Sequence, residues 1–382
     1  MLFALGVGGF AIGTTEFATM SLLHFFAHDL NISEPTAGHV ISAYALGVVV
    51  GAPIIAVLSA RIARRTLLIW LMAIFAAANG LSGLAPNYHW MLLFRFLSGL
   101  PHGAYFGIAS LVAASLVPLE RRTQAVSRVL LGLTIATIVG VPLANWLGQA
   151  LGWRSAFAIV AALALSCAVL VALFAPRGEP EASASPLNEL SALKRPLVWL
   201  TLLTGAIGFG GLFSVYAYLG STLLDVTGLS VGQIPIVFAA FGIGMTAGNL
   251  VVPRFADRAL MPTAGALLVW SAVVLALYPL AAHHLWSMVL DIFAIGIGGA
   301  LGTVLQSRLM DVSGNAQSLP AALNHSAFNT ANALGPYLGG LAIAAGFGLT
   351  STGPVGVGLA LGGLMVWWIS LRWGTAQRRA GL

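Results

Sequence analysis

Charge is what this chain most lacks. Only 7% of its 382 residues are charged and 59% are hydrophobic, whereas soluble domains carry roughly 25% charged residues. A fold wetted on all sides is therefore excluded for most of the chain. Cysteine is nearly absent as well. Cys167 stands alone inside an apolar run, so no intramolecular disulfide can form, and it reads as a small apolar side chain. There is no Walker phosphate loop, no paired-cysteine metal motif, no Ser/His/Asp signature and no polar stretch long enough for a soluble catalytic domain. These absences argue against an enzyme with a resident metal or cofactor. The adjacent His283 and His284 would point to different sides of a helix, so they read as an outer-loop pair at the water boundary, not a metal site. The net charge of +6 is scattered singly or in small groups between apolar runs, which excludes a nucleic-acid-binding surface.

What the chain has in abundance is long apolar runs. Runs of about 20 such residues are long enough to cross a bilayer as helices. In hydrocarbon the backbone must satisfy its own hydrogen bonds, leaving helices or closed barrels. The runs do not alternate polar and apolar residues as barrel strands do. Spans are expected near 2–25, 38–59, 67–86, 89–117, 126–149, 154–175, 197–222, 231–253, 262–282, 285–307, 319–345 and 350–373. The first reads as a retained span, since no basic region or cleavage site precedes it. Kinks are expected in the long fourth span and in the Gly- and Asn-rich eleventh.

The chain also repeats itself at half length. Arg61-Ile62-Ala63-Arg64-Arg65 recurs as Arg254-Phe255-Ala256-Asp257-Arg258, 193 residues on. Trp90 precedes Arg95 by five residues, and Trp286 precedes Asp291 by five. Gly140-Val141-Pro142 has a looser echo in Leu334-Gly335-Pro336. Residues 176–195, with Pro176, Gly178, Pro180, Ser183, Ser185 and Pro186, read as a linker between six-span bundles at 1–175 and 196–382. A repeat written in apolar residues is the plan of a secondary transporter, with the solute near the midplane between the halves. Basic residues gather in alternate loops, with Arg154 alone on the opposite side, so both termini are expected on the cytoplasmic face.

Several motifs carry a family resemblance. They are Gly13-Thr14-Thr15-Glu16-Phe17, Gly51-Ala52-Pro53, the basic run at Arg61, and Arg95 through Gly103. Gly140-Val141-Pro142-Leu143 and Gly152-Trp153-Arg154 complete the set. Together they resemble the major facilitator superfamily, and within it the twelve-span drug:proton antiporters similar to arabinose-efflux and chloramphenicol-resistance exporters. The resemblance implies an all-α integral membrane protein: twelve helices in two pseudo-symmetric six-helix bundles around a central cavity, working by alternating access, usually as a monomer. Two departures stand out. Ala60 and Ala63 occupy places where the superfamily has Asp and Gly, the acid appearing in the second half as Asp257. The span-5 antiporter motif is partial, and a fuller Gly-Pro-x-x-Gly-Gly falls at Gly335, Pro336, Gly339 and Gly340.

Candidate site residues follow from polarity in apolar surroundings. Glu16 is an acid well inside span 1, and such groups mark function or are held by hydrogen bonds to a neighbouring helix. Arg95 and His102 share a face of span 4, seven residues apart. A Glu16 contact with either is open, and so is a structural role for each. Glu16, Arg95 and His102 are the proton-coupling candidates, the proton being the only coupling ion expected. Asp291 matches Arg95 in the repeat, and attraction between them is one reading, with local capping the other. Arg61, Arg65, Asp257 and Arg258 complete the gating candidates. The binding-wall candidates are Tyr44 and Tyr105, then Phe209, Phe213 and Tyr216 at helical spacing in span 7, then His325, Phe328, Asn329 and Asn332 in span 11. Any one of these aromatics also fits simple packing. The expected activity is proton-coupled export of a small organic solute, such as a drug or sugar, across a bacterial inner membrane. A symporter importing a sugar or metabolite and a non-transporting membrane sensor are the rivals.

Overall fold

The computed structural model describes residues 1–32, 34–177 and 185–379; the linker positions 178–184 named above lie outside the described residues. Helices make up nearly all of it, with no strand among the described residues. In chain order they are α1 (Leu2–Ser21), α2 (Leu23–Asp29), α3 (Glu34–Leu58), α4 (Arg64–Gly83), α5 (Tyr88–Ser115) and α6 (Arg122–Ile135). Next come α7 (Val141–Leu151), α8 (Arg154–Phe174), α9 (Pro186–Ser191), α10 (Pro196–Gly208), α11 (Gly210–Tyr216) and α12 (Leu219–Asp225). The chain ends with α13 (Ile234–Ala256), α14 (Leu260–Ala281), α15 (Leu285–Ile297), α16 (Leu301–Val312), α17 (Ser318–Ala342) and α18 (Thr352–Arg379). Among the described residues, eleven stretches are long and apolar enough to cross a bilayer. The twelfth helix, α17, is 25 residues long, and its polar residues, Asn324, His325, Asn329 and Asn332 among them, dilute its hydropathy.

Leu58, Trp146, Leu173 and Leu290 are each more than 60% exposed. Apolar side chains on the outside of a bundle are stable against lipid and not against water.

Helix continuity differs from expectation. Both α5 and α17 are single helices despite Pro101 and Pro336 within them. Among the described residues the interruptions fall in spans 5, 7 and 10 and at the end of span 11, where Ile343–Phe347 is π-helical and Gly346 has φ +89°. Span 5 passes through a π-helical stretch, Ala136–Gly140, just before Pro142, whose missing N–H cannot complete the ladder there. Span 7 breaks around Phe209, between Gly208 and Gly210, and again after Tyr216. Span 10 tightens to a 3-10 turn at Gly298–Ala300.

The chain divides into two compact units, residues 1–192 with 314–326, and 193–313 with 327–382. Each unit shows the same internal pairing. In the first, α3 lies along α5 and α8 lies along α4 and α1. In the second, α13 lies along α15, and α18 lies along α14 and α10. The sequence repeat is thus a repeat of packing.

In the first unit a cluster of Leu22, Phe26, Val40, Met91, Trp153 and Phe157 closes one end of the bundle. Gly152, at φ +88°, makes the left-handed turn between α7 and α8 that presents Trp153 and Arg154 to α2. There the Trp153 indole N–H donates to Asp29 Oδ2 at 3.0 Å, and Arg154 bonds the same oxygen while its guanidinium lies 4.3 Å from the Trp153 ring centre. These bonds hold the Asp29 carboxyl below its ordinary range, the Arg154 hydrogen bond contributing most. A depressed carboxyl contributes stability above its unfolded pKa and loses it as pH falls through the folded value. Both groups are exposed, so Asp29→Asn is expected to cost at most about 1 kcal/mol at neutral pH. The difference from wild type should start to shrink near the ordinary aspartate pKa of about 3.9 and disappear only once pH has fallen below the lowered folded value. Thermal melts in detergent at the two pH values check this; an equal deficit at both contradicts it.

Candidate functional site

The first unit carries a buried cation and the means to keep it there. Asn87 caps α5, its side chain accepting from the N–H groups of His89 and Trp90 at 3.1 and 3.2 Å. Two turns further on, Arg95 is 1% exposed. Its Nη1 donates to Thr15 Oγ1 at 3.0 Å, with Asn79 Oδ1 and Ser98 Oγ each at 3.4 Å. The Thr15 hydroxyl donates in turn to Asn79 Oδ1 at 2.7 Å, and Asn79 Nδ2 donates to Phe75 O. Helices α1, α4 and α5 thus meet at one guanidinium. Its face lies 4.3 Å from the Tyr44 ring centre and 5.7 Å from that of Phe157. A desolvated cation–π contact of this kind contributes about 2 kcal/mol.

Tyr44 reaches Arg95 because α3 and α5 touch backbone to backbone. A Cβ on Gly47 would stand 2.2 Å from Phe96 O, and one on Gly99 would stand 2.2 Å from Tyr44 O. From the same position the Tyr44 hydroxyl bonds His102 Nδ1 at 2.8 Å. The His102 ring lies 5.5 Å from that of His325, and His325 stacks on Phe106 at 4.5 Å with planes 13° apart. Arg95, Tyr44, His102 and His325 form one buried line of polar rings and charge.

Glu16 sits half-buried on α1 beside Thr15. Arg95 is the charge that acts on it, and Glu16 in turn acts on Tyr44 and Arg95. It makes no ion pair with Arg95 and no hydrogen bond to His102 among the described residues. Arg95 Nη1 instead donates to the neutral Thr15, Asn79 and Ser98, while its buried Nε has no hydrogen-bond partner.

Tyr105 does not join this group. Its hydroxyl donates to Leu5 O at 2.7 Å and lies 3.4 Å from Cys167 Sγ, which ties α5 to α1 and α8. It is wholly buried, so its place in the binding wall is corrected to packing.

In the second unit Phe209 lies 5.5 Å from Phe213 and 4.7 Å from Phe328, ring centre to ring centre. Tyr216 turns instead to α13, 5.4 Å from Phe238 and 4.6 Å from Phe241. The expected wall is therefore two aromatic groups. The four span-11 candidates also divide, His325 with the first unit, Phe328, Asn329 and Asn332 with the second. Asn329 is buried and Asn332 half-buried.

The gating candidates are scattered. Asp291, 7% exposed on α15, makes no ion pair among the described residues, and its Oδ2 has no hydrogen-bond partner. Arg61 and Arg258 are exposed and Asp257 is half-buried. Arg65 donates to Ala172 O at the end of α8, a cation on terminal helix carbonyls.

Sequence reasoning passed over Asn79, Ser98, Phe157, Phe238 and Phe241. The available signal was Asn79 itself, an amide in an apolar span, where a polar side chain usually finds a partner on another helix.

An all-helical fold of twelve spans with a repeated six-span unit and a charge held inside one unit defines a membrane transporter. The family model described as Major Facilitator Superfamily matches residues 5–277. The chain is 39% identical over 364 residues to the inner membrane transport protein YdhP of Escherichia coli (strain K12), covering 94% of each. It is 34% identical over 344 residues to a chloramphenicol resistance protein of Streptomyces lividans, covering 88% of this chain and 87% of the relative. A crystal structure of the fucose:proton symporter FucP of E. coli aligns with TM-score 0.74 at 14% identity, over 96% of this chain and 98% of that one. The chain belongs to the major facilitator superfamily and has its twelve-helix fold.

Asn79 generates a direct test. Removing its side chain in Asn79→Ala strips an acceptor from the Thr15 hydroxyl and from Arg95 at once. Leaving such a buried donor unsatisfied costs about 1–3 kcal/mol. A lowered thermal midpoint is expected, and adding Thr15→Val should cost less than it does alone, because coupled partners are not additive. Additive losses would count against a shared network.

Proposed function

We propose that this protein is a secondary active transporter that exports a small organic solute in exchange for protons, with Glu16 as the exchanging group. The observation that carries the reading is the setting of Glu16. It is a half-buried acid inside a span, within the influence of Arg95 and Tyr44, yet bonded to neither. A carboxylate so placed can take up a proton or face a cationic or polar solute without first breaking a strong pair. Protons moving inward supply about 2.3 kcal/mol per 100 mV, before any pH gradient.

The Phe209, Phe213 and Phe328 rings, with Asn329 and Asn332 on the same helix as Phe328, suit a solute that is largely apolar with few polar groups. The chloramphenicol resistance relative supports a drug-like solute of that character. The arginines gathered in alternate loops support cytoplasmic termini, and the inner membrane transport relative supports a bacterial inner membrane. One chain is sufficient for this cycle, and no resident metal or organic cofactor is required.

Proteoliposomes with an imposed pH gradient, screened over a panel of amphipathic compounds and sugars, test the proposal. Wild type should move solute against the proton flow. Glu16→Gln should lose at least ten-fold of the gradient-driven flux while solute exchange without a gradient persists. Solute moving with the protons would make the protein a symporter, and undiminished coupled flux in the variant would remove Glu16 from its role.

A further inference from the structure

Among the described residues, an acid unconnected with Arg95 is buried outside the spans. Glu189 is 4% exposed and lies outside the spans, on the short linker helix α9. The Ser185 hydroxyl starts that helix by accepting the Asn188 N–H at 3.1 Å, and α9 packs against α3. This fixes the position of Glu189. Its Oε2 accepts the backbone N–H of Leu319 at 2.8 Å, and Ser318 bonds the carboxylate as well. Ser318 and Leu319 are the first two residues of α17. The first N–H groups of a helix have no partner within it, and its N-terminus favours negative charge. Glu189 therefore caps a 25-residue span from outside.

What makes the cap more than local is where α17 belongs. Residues 314–326 pack within the first unit, and the same helix from residue 327 packs within the second. The start of α17 is seated closely on α5. A Cβ on Gly107 would stand 2.7 Å from Ala322 N, and one on Gly103 would stand 3.2 Å from Ala322 O. Leu319, Ala321 and Ala322 are each at most 1% exposed. Any rocking of one unit against the other must either carry this seat along or open it.

We propose that Glu189 is a latch by which the linker helix holds the first turn of α17 in the first unit, and that the transport cycle breaks and remakes this bond. The contact is suited to reversal. Burial raises the Glu189 carboxyl above the ordinary glutamate range, while the bonds from Leu319 and Ser318 and the charge of Arg64 pull it back. Carboxylate and helix start are each satisfied in the closed arrangement, and water can satisfy both in the open one. The latch does not depend on which solute or ion is carried.

Spin labels on cysteines at Leu187 and Asn315, both exposed, report the opening by electron–electron distance measurement in a Cys167→Ala background. Wild type should show mainly one short distance. In Glu189→Ala the longer-distance population should rise at least three-fold. Glu189→Gln keeps an acceptor oxygen without the charge, and should fall between the two. Size-exclusion profiles and melting midpoints confirm folding, and the near-isosteric glutamine variant carries the comparison with a smaller shift if alanine aggregates. Distance distributions of both variants superimposed on that of wild type overturn the proposal.

Discussion

A guanidinium kept dry inside a membrane bundle sets the terms for everything around it. A charge at the centre of a bilayer costs at least about 2.5–3.5 kcal/mol, and Arg95 offsets part of this through the acceptors around its Nη1 and the rings on its face, although its buried Nε has no hydrogen-bond partner. Thr15, Asn79 and Ser98 supply the acceptors and Tyr44 supplies the ring. Those partners come from four helices, so the charge fixes how the helices meet. The contact of Gly47 with Gly99 draws α3 close enough for Tyr44 to serve both Arg95 and His102. Glu16 is then placed near a cation whose Nη1 bonds neutral groups, and among the described residues it forms no ion pair with that cation.

The second unit repeats the packing without repeating this charge. One neutral interhelical bond in it is that of the Thr303 hydroxyl, which donates to Asn249 Oδ1 at 2.6 Å. Its aromatics lie in two groups rather than one wall, and Asp291 is left with a buried oxygen that nothing bonds. At the pair of places the repeat matches, Arg95 and Asp291, the two units carry opposite charge.

Much of the fold was legible because hydrocarbon imposes a simple rule: a span must be apolar, helical and about 20 residues long. The half-length repeat at Arg61/Arg254 and Trp90/Trp286 likewise reappears as repeated helix pairing. Less legible was how the spans are interrupted. The length of span 4 and the glycines and asparagines of span 11 suggested kinks, yet α5 and α17 run on through Pro101 and Pro336, while Pro142 and the glycines at 208, 210, 298 and 299 lie at breaks. Among the site residues, helical spacing placed Arg95 and His102 on one face but could not reveal that Tyr44 links them. Tyr105 faces α1 and Tyr216 faces α13, because a ring's direction depends on what packs against it and not on its place in the chain. Asn79 and Glu189 look ordinary in the sequence. Each gains meaning only from a partner on a distant helix, at Thr15 and Leu319 respectively.

The central claim is that Glu16 exchanges protons with the aqueous phase from inside the first unit. Labelling by a membrane-permeant hydrophobic carbodiimide, which reacts with protonated carboxyl groups and is mapped by mass spectrometry, tests it most directly. The account predicts modification at Glu16 that falls steadily as the pH of the bathing solution rises. Absence of label at Glu16 at every pH, or labelling indifferent to pH, would contradict it.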